Sequence, residues 1–453
     1  MPKAKVVYVC QECGITVPRW MGKCPECEAW NTLVEEQAPE AGAHVRGSFA
    51  TNEAPIPITQ GPEEAAPRMT TGIAEFDRVM GGGVVDGSIT LIGGDPGIGK
   101  STLMLQVAHR IAAQGMRVLY VSAEESFEQT RLRARRLHTL HDNLLLYTEN
   151  NVGALVKRLY KEDFALVVVD SIQSVYSTQL PGVPGSVSQV RESAAEFLRL
   201  AKGKPVPICL VGHVTKDGQI AGPRLLEHLV DGTLYFEGEG KQALRILRAV
   251  KNRFGSTNEI GVFEMRESGL HEVANPSAWF LNERPDGVSG SVVLPSIEGS
   301  RPLLVEVQAL VGDSHTGSPR RTVTGVNPNR VSLLLAVLEK RAGLHFADRD
   351  VFVNVAGGAR LEEPAADMAV ALALVSSFRD MPVPPDVAAF GEVGLAGEIR
   401  AVDRARQRVA EAAKFGFAQC VLPKGATADV APGPTQPVPV ATLVEAIDLV
   451  LES

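Results

Sequence analysis

A phosphate-binding loop motif is the strongest structural signal in the sequence. The string Gly94-Asp95-Pro96-Gly97-Ile98-Gly99-Lys100-Ser101 fits the pattern G-x-x-x-x-G-K-[ST] and directly follows the apolar run SITLIGG. Such a loop joins a buried strand to a helix, so that backbone N–H groups and the helix N-terminus face the phosphates. We expect Lys100 to reach the β- and γ-phosphates of ATP or ADP, the Ser101 hydroxyl to bind Mg²⁺, and Thr102 to adjoin them. This part of the chain is therefore predicted to be α/β.

Further strand-like runs indicate the rest of that site. After residue 70, RVLYVSAEE, ALVVVDS and PICLVGHV alternate with helical stretches, which predicts a parallel sheet flanked by helices. Asp170 ends one run, and we expect it to bind Mg²⁺ directly or to contact the ligands of the ion. Glu124 and Glu125 end another run, where open α/β sheets place their sites. Either glutamate could polarise the attacking water, or the pair could form a solvated turn.

The cysteines near the N-terminus predict a metal site. Of the six cysteines, Cys10, Cys13, Cys24 and Cys27 form two C-x-x-C pairs, the pattern of a zinc ribbon. Four thiolates fill a tetrahedral coordination shell, so the Zn²⁺ is expected to be structural rather than catalytic. The nearby side chains of Trp20, Lys23 and Trp30 leave two interpretations open. They present a surface to DNA or protein, or the aromatic rings pack the small knuckle.

Length and composition indicate several domains. At 453 residues the chain is too long for one ordinary domain, and its 45% hydrophobic content is typical of a globular protein. We expect a ribbon at 1–36, a linker rich in Pro, Ala and Glu at 37–67, an ATPase domain at 68–281 and an α+β domain at 286–453. The sequence shows neither a long apolar run nor a secretory signal, so a cytoplasmic protein with no membrane partner is expected.

Charge places limits on how the chain could bind nucleic acid. The formal net charge of −8 means that any DNA contact must come from local basic clusters. The candidate segments are 171–192 and 215–222, with Lys216 and Arg224 among the nearest basic residues. The C-terminal domain adds Arg320, Arg321 and Arg330 among glycine and proline turns. The first two segments could also be ordinary surface loops, and the arginine cluster is equally typical of a solvated charged turn.

Three strings make a family resemblance specific. They are TGIAEFDRVMGGGVVDGSITLIGGDPGIGKST, LVVVDSIQS and Lys251-Asn252-Arg253-Phe254-Gly255. With the ribbon before them and the α+β domain after them, they resemble the bacterial RadA family of DNA repair proteins over nearly the whole chain. The resemblance implies a RecA-like P-loop NTPase core that assembles as a homohexameric ring, with DNA through the centre and ATP between subunits.

The resemblance also implies residue roles. Glu124 matches the water-activating glutamate, with Glu125 the weaker alternative, and His213 matches the position that senses the γ-phosphate. Lys251 and Arg253 match a basic pair that reaches the nucleotide of the neighbouring subunit, where cations stabilise charge on the transferred phosphoryl group. Other interpretations remain for three of these residues. Lys251 and Arg253 could simply solvate a strand end, and His213 could be a core histidine.

The C-terminal domain suggests a rival function. The strings VFVNVAGGARLEEPAADMAVALALVSS and FGEVGLAGEIRAVDRARQRVAEAAKFGF resemble the proteolytic domain of Lon proteases, which use a serine nucleophile and a lysine base. Ala365 stands where the serine would be and Arg406 where the lysine would be. Alanine has no nucleophilic atom, and a guanidinium stays protonated. We therefore expect an inactive Lon-like domain that holds the hexamer together and offers a further DNA surface.

Taken with the resemblance, these features predict a DNA-dependent ATPase of recombinational repair. It would move along single-stranded DNA and drive branch migration of recombination intermediates, with branched DNA and a strand-exchange recombinase as partners. Two alternatives remain: a nucleotide-regulated DNA-binding scaffold that does not translocate, and an ATP-dependent Lon-type protease.

Overall fold

Two compact units make up the protein. The computed structural model describes residues 6–10, 15–26, 28–37, 57, 67–213, 224–238, 244–282, 284–285, 287–314 and 319–452. The first unit is Met1–Val273 and the second is Ala274–Ser453. The expected limit at residue 281 differs from this division, because the helix Pro276–Leu281 packs on a strand of the second unit. No helix among the described residues is long and apolar enough to cross a membrane.

A small antiparallel sheet forms the N-terminal ribbon. Its strand order is β2-β1-β3. The strands are β1 (Val6–Cys10), β2 (Thr16–Val17) and β3 (Leu33–Gln37).

A nine-stranded sheet organises the rest of the first unit, in the order β14-β13-β12-β11-β6-β10-β9-β7-β8. Strands β11, β6, β10, β9, β7 and β8 run parallel, and β12, β13 and β14 add an antiparallel extension. The elements are β4 (Arg68–Met69), α1 (Ala74–Met80), β5 (Val84–Val85), β6 (Ile89–Gly94), α2 (Lys100–Ala113), β7 (Val118–Ser122), α3 (Phe127–Arg136), β8 (Leu144–Tyr147), α4 (Val152–Lys161), β9 (Leu166–Asp170), α5 (Val187–Gly203), β10 (Ile208–Val211), α6 (Arg224–Glu227), β11 (Gly232–Glu237), β12 (Leu244–Asn252), β13 (Ile260–Arg266) and β14 (Gly269–Glu272).

The central strands owe their position to their composition. Every residue of β6, β7, β9 and β10 is buried, as expected for apolar runs covered by helices on both faces of a parallel sheet. Two large apolar clusters result, one containing α1 and α2 and the other containing α4 and α5. All four strands end at the same edge of the sheet, which fixes where the loops that follow them meet.

The second unit is an α+β domain around a seven-stranded sheet, in the order β17-β18-β16-β15-β19-β22-β23, with a separate hairpin β20-β21. Helix α9 lies in its core, and residues 366–376 of that helix are all buried. The elements are α7 (Pro276–Leu281), β15 (Ser291–Glu298), β16 (Arg301–Asp313), β17 (Arg321–Thr324), α8 (Pro328–Ala342), β18 (Arg349–Val355), α9 (Ala366–Arg379), β19 (Val387–Ala389), β20 (Glu392–Val393), β21 (Ile399–Arg400), α10 (Ala405–Lys414), β22 (Gln419–Pro423), β23 (Gln436–Val440) and α11 (Leu443–Leu451).

Arg330 does not lie in a turn, as its flanking glycine and proline residues suggested. It belongs to α8, and its guanidinium grips the buried carboxylate of Asp367 with both Nε (2.8 Å) and Nη2. The backbone N–H of Val393 donates to the same carboxylate at 3.0 Å. Arg330 therefore joins α8, α9 and β20, whereas Arg320 and Arg321 lie on the surface.

We expect Arg330→Ala to lower the free energy of unfolding of the second unit by about 3 kcal/mol, because Asp367 would stay buried without its cation. Thermal unfolding followed by circular dichroism measures the effect. Arg320→Ala is the matched control, since an exposed side chain contributes about 0.5 kcal/mol or less. Equal unfolding temperatures for the two variants would contradict the structural role of Arg330.

Candidate active site

The phosphate loop has the geometry that its sequence predicts. Gly94, Gly97 and Gly99 adopt φ values of 146°, 77° and 116°, which favour glycine. A Cβ on Gly94 would lie 2.6 Å from the carbonyl oxygen of Phe236, so no larger residue fits there. The loop passes from β6 into α2 at Lys100. Its backbone is thus shaped to present N–H groups to phosphate at the N-terminus of a 14-residue helix.

Lys100 is buried within this loop. Its side chain is 3% exposed, and Nζ donates to the carbonyl oxygens of Gly94 (2.7 Å) and Asp95 (2.9 Å). Burial lowers the pKa of Lys100 to about 8, against the opposing effect of the carboxylates of Asp170, Asp95 and Glu124. The ammonium group is therefore incompletely solvated and held by two carbonyl groups, which an incoming phosphate could replace.

Asp170 lies at the same edge, at the end of β9 and beside Ser122 of β7. Its carboxylate is buried and accepts a 2.5 Å hydrogen bond from the hydroxyl of Tyr120. Burial and the neighbouring Asp170 raise the pKa of Tyr120 well above its usual value, so the phenol remains a donor. Carboxylate and hydroxyl oxygens are the ligands that Mg²⁺ prefers, so Asp170 and Ser101 fit that ion. Tyr120 is not among the site residues predicted from the sequence.

Glu124 is at the centre of a polar network. Its Oε1 accepts hydrogen bonds from the hydroxyls of Ser171 and of Ser174 (3.0 Å) and lies 3.5 Å from Nε2 of His213. The hydrogen bond with His213 is the largest cause that lowers the pKa of Glu124 to about 2, and the two serines add to it. Glu124 is consequently an ionised carboxylate with 41% of its side chain exposed. Ser171 and Ser174 are not among the site residues predicted from the sequence, although the string S-I-Q-S directly follows Asp170.

The two adjacent glutamates have different surroundings. Glu125 forms an ion pair with Arg133 of α3, and its carbonyl oxygen accepts from the hydroxyl of Ser122 at 2.9 Å. Glu125 is thereby tied to α3, whereas Glu124 faces Ser171 and His213. Of the two, Glu124 is the one whose charge acts on Lys100 of the phosphate loop.

His213 differs from an ordinary core histidine. Its carbonyl oxygen accepts a 3.1 Å hydrogen bond from Nε2 of Gln173, and its ring faces Glu124. Nδ1 of His213 and Oε1 of Gln173 are both buried without a hydrogen-bond partner among the described residues. Buried polar atoms of this kind are uncommon and often mark functional sites. The ring therefore lies beside Glu124 at the end of β10, with Nε2 toward the carboxylate.

Lys251 and Arg253 lie at the opposite edge of the sheet. Strand β12 runs antiparallel to β11, and its last residue, Asn252, pairs with Gly232. Gly232 in turn pairs with Thr90 near the start of β6, whereas the phosphate loop follows the end of β6. At roughly 3.3 Å per residue, the length of β6 separates the basic pair from the loop by about 15 Å. The structure thus brings Lys100, Ser101, Glu124, Asp170 and His213 to one edge and keeps the basic pair apart from them.

Hydrogen bonds and close backbone packing hold the K-N-R-F-G segment in place. Asn252 Nδ2 donates to the carbonyl oxygen of Val79 at 3.3 Å, and Asn252 Oδ1 accepts from the N–H of Phe254 at 2.9 Å. A Cβ on Gly255 would lie 3.1 Å from the Cα of Gly81, which explains the glycine. From this base, Lys251 Nζ donates to the carbonyl oxygen of Glu227 at 2.6 Å. The side chain of Arg253 is 57% exposed.

The segments proposed to bind DNA are described only in part. Residues 171–192 follow Asp170 directly and pass through a short helical turn, Ile172–Ser174, into α5. Buried Gln189 fastens the intervening chain, because its Nε2 donates to the carbonyl oxygens of Ser177 (3.2 Å) and Leu180 (2.9 Å). Residues 215–222, including Lys216, and the side chain of Arg224 lie outside the described residues.

The ribbon contains two equivalent turns. Cys10 N–H donates to the carbonyl oxygen of Ile15 at 2.9 Å, and Cys24 N–H donates to that of Ala29 at 2.8 Å. Both cysteines are buried, and the repeated geometry fits two knuckles around one Zn²⁺. Cys13 and Cys27 lie outside the described residues. Trp20 and Trp30 are 56% and 70% exposed, which favours a binding surface over packing inside the knuckle.

Ala365 and Arg406 occupy the positions that match the serine and lysine of Lon proteases. Ala365 is buried immediately before α9, and Arg406 is exposed on α10. The buried cation of α10 is instead Arg408, which pairs with Glu363 and donates to the carbonyl oxygen of Pro295 at 2.8 Å. This region is thus occupied by an ion pair that supports the fold.

Family models match three parts of the chain. An AAA domain model matches residues 65–219, a rubredoxin metal binding domain model residues 8–35, and a Lon protease (S16) C-terminal proteolytic domain model residues 335–452. The chain is 54% identical to the DNA repair protein RadA of Bacillus subtilis (strain 168), covering 93% of each sequence. It is also 51% identical to the DNA repair protein RadA of Halalkalibacterium halodurans, covering 100% of both. The chain belongs to the RadA family of DNA repair proteins.

The comparison with solved structures gives partial matches. The RadB recombinase is 25% identical with a TM-score of 0.36, covering 45% of this chain and 99% of RadB. A KaiC-like protein from Pyrococcus horikoshii is 20% identical with a TM-score of 0.39, covering 46% of this chain. Membership of the RadA family confirms the resemblance, and the three domain matches confirm the predicted fold class. The roles of individual site residues remain predictions.

The lowered pKa of Lys100 predicts a pH dependence of ATP binding. Below about pH 8 the ammonium form is present and attracts phosphate, and above it that form is lost. The Kd for ATP should therefore rise about tenfold between pH 7 and pH 9. Titration with a fluorescent ATP analogue measures it. Lys100→Arg stays charged throughout and should give a flat profile, while a flat wild-type profile would contradict the assignment.

Proposed function

We propose that this protein is a DNA-stimulated ATPase of recombinational repair whose active sites lie between subunits. Its family, with an AAA domain, supports ATP hydrolysis and a role in DNA repair. The proposed mechanism rests on the position of Glu124. It lies at the same edge of the sheet as the phosphate loop, and Ser171 and Ser174, in the segment after Asp170, donate hydrogen bonds to it. A group placed there can respond both to the nucleotide and to whatever that segment binds.

In the proposed reaction, water attacks the γ-phosphate of ATP in line with the leaving group. Glu124 orients the water by accepting a hydrogen bond from it. With a pKa of about 2, this carboxylate is a weak base, so it polarises the water and takes the proton only as the bond to phosphorus forms. Lys100 binds the β- and γ-phosphate oxygens, and Ser101 and Asp170 would hold the Mg²⁺. When bound, that ion supplies neutralisation of phosphate charge.

The basic pair completes the site of a neighbouring subunit. Lys251 and Arg253 are too far from the phosphate loop of their own chain, since the length of β6 lies between them. A head-to-tail interface places one edge of a subunit against the opposite edge of the next, and repeating it closes a ring. A homohexamer fits this arrangement. Arg253 then neutralises charge on the phosphoryl group transferred in the adjacent subunit.

DNA contact would act through the segment 171–192. Its first residues donate hydrogen bonds to Glu124, and Gln189 of α5 donates hydrogen bonds to the carbonyl oxygens of Ser177 and Leu180 in the middle of the segment. Single-stranded DNA bound between these points would shift Ser171 and Ser174 and so change the hydrogen bonds of Glu124. Repeated around a ring, this linkage supports translocation along single-stranded DNA and branch migration, with branched DNA as substrate and a strand-exchange recombinase as partner.

Proteolysis by the Lon-like unit is not part of the proposal. Buried Ala365 supplies no nucleophile, and the exposed guanidinium of Arg406 cannot accept the proton of a hydroxyl group. The unit instead supports the assembly and adds a DNA surface through Arg320 and Arg321. The scaffold alternative, in which nucleotide binding occurs without translocation, predicts hydrolysis that ignores DNA.

Steady-state ATP hydrolysis with and without single-stranded DNA tests the motor. We expect DNA to stimulate the wild type, and Glu124→Gln to lower kcat about 100-fold with ATP binding retained. Glu125→Gln is the matched control and should stay within about threefold of wild type, because its partner is Arg133 of α3. Hydrolysis unaffected by DNA would favour the scaffold, and equal losses in both variants would remove the special role of Glu124.

Mixing variants tests the shared site. Lys100→Ala and Arg253→Ala should each abolish turnover alone. Rings from equimolar co-expression should regain activity at about a quarter of their interfaces, where an intact phosphate loop meets an intact Arg253. Arg248→Ala, which changes an arginine of β12 that pairs with Glu237, should be active alone. A mixture as inactive as its components would show that the site is not shared.

A further inference from the structure

Asp231 takes no part in the proposed reaction, but Arg253, Lys202 and Ile89 all contact it, and we call this contact point the junction. It directly precedes β11, and its side chain is 3% exposed. Its Oδ1 accepts a 3.0 Å hydrogen bond from Nη1 of Arg253, and its Oδ2 accepts one at 2.8 Å from Nζ of Lys202 and one at 3.2 Å from the N–H of Ile89. A single buried carboxylate thus receives two cations and a backbone donor.

The backbone of Asp231 strengthens the same junction. Its N–H donates to the carbonyl oxygen of Ile89 at 2.9 Å, and its carbonyl oxygen accepts from the N–H of Arg253 at 3.0 Å. Ile89 is the first residue of β6, whose far end leads into the phosphate loop. Asp231 therefore fastens both the backbone and the side chain of Arg253 to the strand that carries the subunit's own nucleotide site.

Lys202 adds a third element to the junction. It belongs to the last turn of α5, and its Nζ also donates to the carbonyl oxygen of Gly87 at 3.0 Å. The other end of α5 begins at Val187, within the segment 171–192. The junction consequently joins β6, α5 and the turn after β12.

The junction restricts the side-chain conformation of Arg253. A long side chain that is 57% exposed samples many rotamers, and holding it costs conformational entropy at each encounter with a phosphate. Because Asp231 engages one terminal nitrogen, it limits the rotamers while the rest of the guanidinium remains on the surface. Charge-assisted hydrogen bonds to a buried carboxylate are strong enough for this task.

We propose that Asp231 is a positioning residue that aims Arg253 at the nucleotide of the neighbouring subunit and couples that aim to β6 and α5. The inference rests on the proposed shared site. It adds that Arg253 is a preset part of each subunit, whose placement depends on a buried carboxylate at the edge opposite the phosphate loop.

The first measurement is the kinetics of Asp231→Asn in the full-length protein. We expect kcat to fall at least about tenfold while KM for ATP stays within about twofold, because the phosphate loop is intact and only the incoming cation is misplaced. Glu237→Gln, which removes an exposed carboxylate that pairs with Arg248, is the matched control and should retain wild-type kcat. Wild-type kcat in Asp231→Asn would overturn the proposal.

Co-expression in pairs separates a positioning role from damage to the fold. Asp231→Asn should regain activity when mixed with Lys100→Ala, which supplies an intact Arg253, and should remain inactive with Arg253→Ala. The reverse pattern would overturn the positioning role while leaving the shared site standing. Failure of the pair Lys100→Ala and Arg253→Ala to regain activity would overturn the shared site and the positioning role together.

A second variant tests the proposal if Asp231→Asn folds poorly. The double variant Asp231→Asn/Lys202→Met removes the lysine charge together with its carboxylate partner, so of the two cations at the junction only Arg253, with its side chain 57% exposed, is left without the carboxylate. It should behave as Asp231→Asn does in both mixtures. Activity with neither partner from a double variant that folds and assembles would overturn the proposal, because its phosphate loop would then be defective too.

Discussion

The common end of the parallel strands is the constraint on which the candidate site depends. Strands β6, β7, β9 and β10 are buried throughout and mostly apolar, and Ser122 and Asp170 lie at the points where β7 and β9 end. Parallel pairing in register then brings these ends together, with Ser122 beside Asp170 and Asp170 beside Val211. Residues far apart in the chain become neighbours because burial leaves them no other place in the sheet.

Charges of both signs meet at this edge of the sheet. Lys100 is buried, and the carboxylates of Asp170, Asp95 and Glu124 offset part of the cost of its burial. Burial and the neighbouring Asp170 raise the pKa of Tyr120, and the donors around Glu124 lower the pKa of that carboxyl group. A phosphate group bound here would exchange the two carbonyl partners of Lys100 for its own oxygens.

Local patterns predicted much of this arrangement, and contacts between distant residues decided the rest. The phosphate loop, Asp170 and the cysteine pairs are recognisable because each obeys a short spacing rule. The strand pattern alone left Glu124 and Glu125 open, and the family resemblance favoured Glu124. Their different surroundings depend on distant residues, since Arg133 pairs with Glu125 and His213 faces Glu124. Arg330 was misplaced in a turn for the same reason, because its partner Asp367 belongs to another helix.

The position of Lys251 and Arg253 shows why topology matters for mechanism. Lys251 lies near the end of β12 and Arg253 directly follows it, so the antiparallel pairing of β12 with β11 places both at the edge where β6 begins. A parallel strand at this place would have put the same residues beside their own phosphate loop. The reversal separates the basic pair from the phosphate loop of its own chain by the length of β6. Under the proposed shared site, a second copy of the chain brings the two together, so hydrolysis and assembly both depend on one strand direction. The buried carboxylate of Asp231 would then lie where it can hold Arg253 toward that second copy.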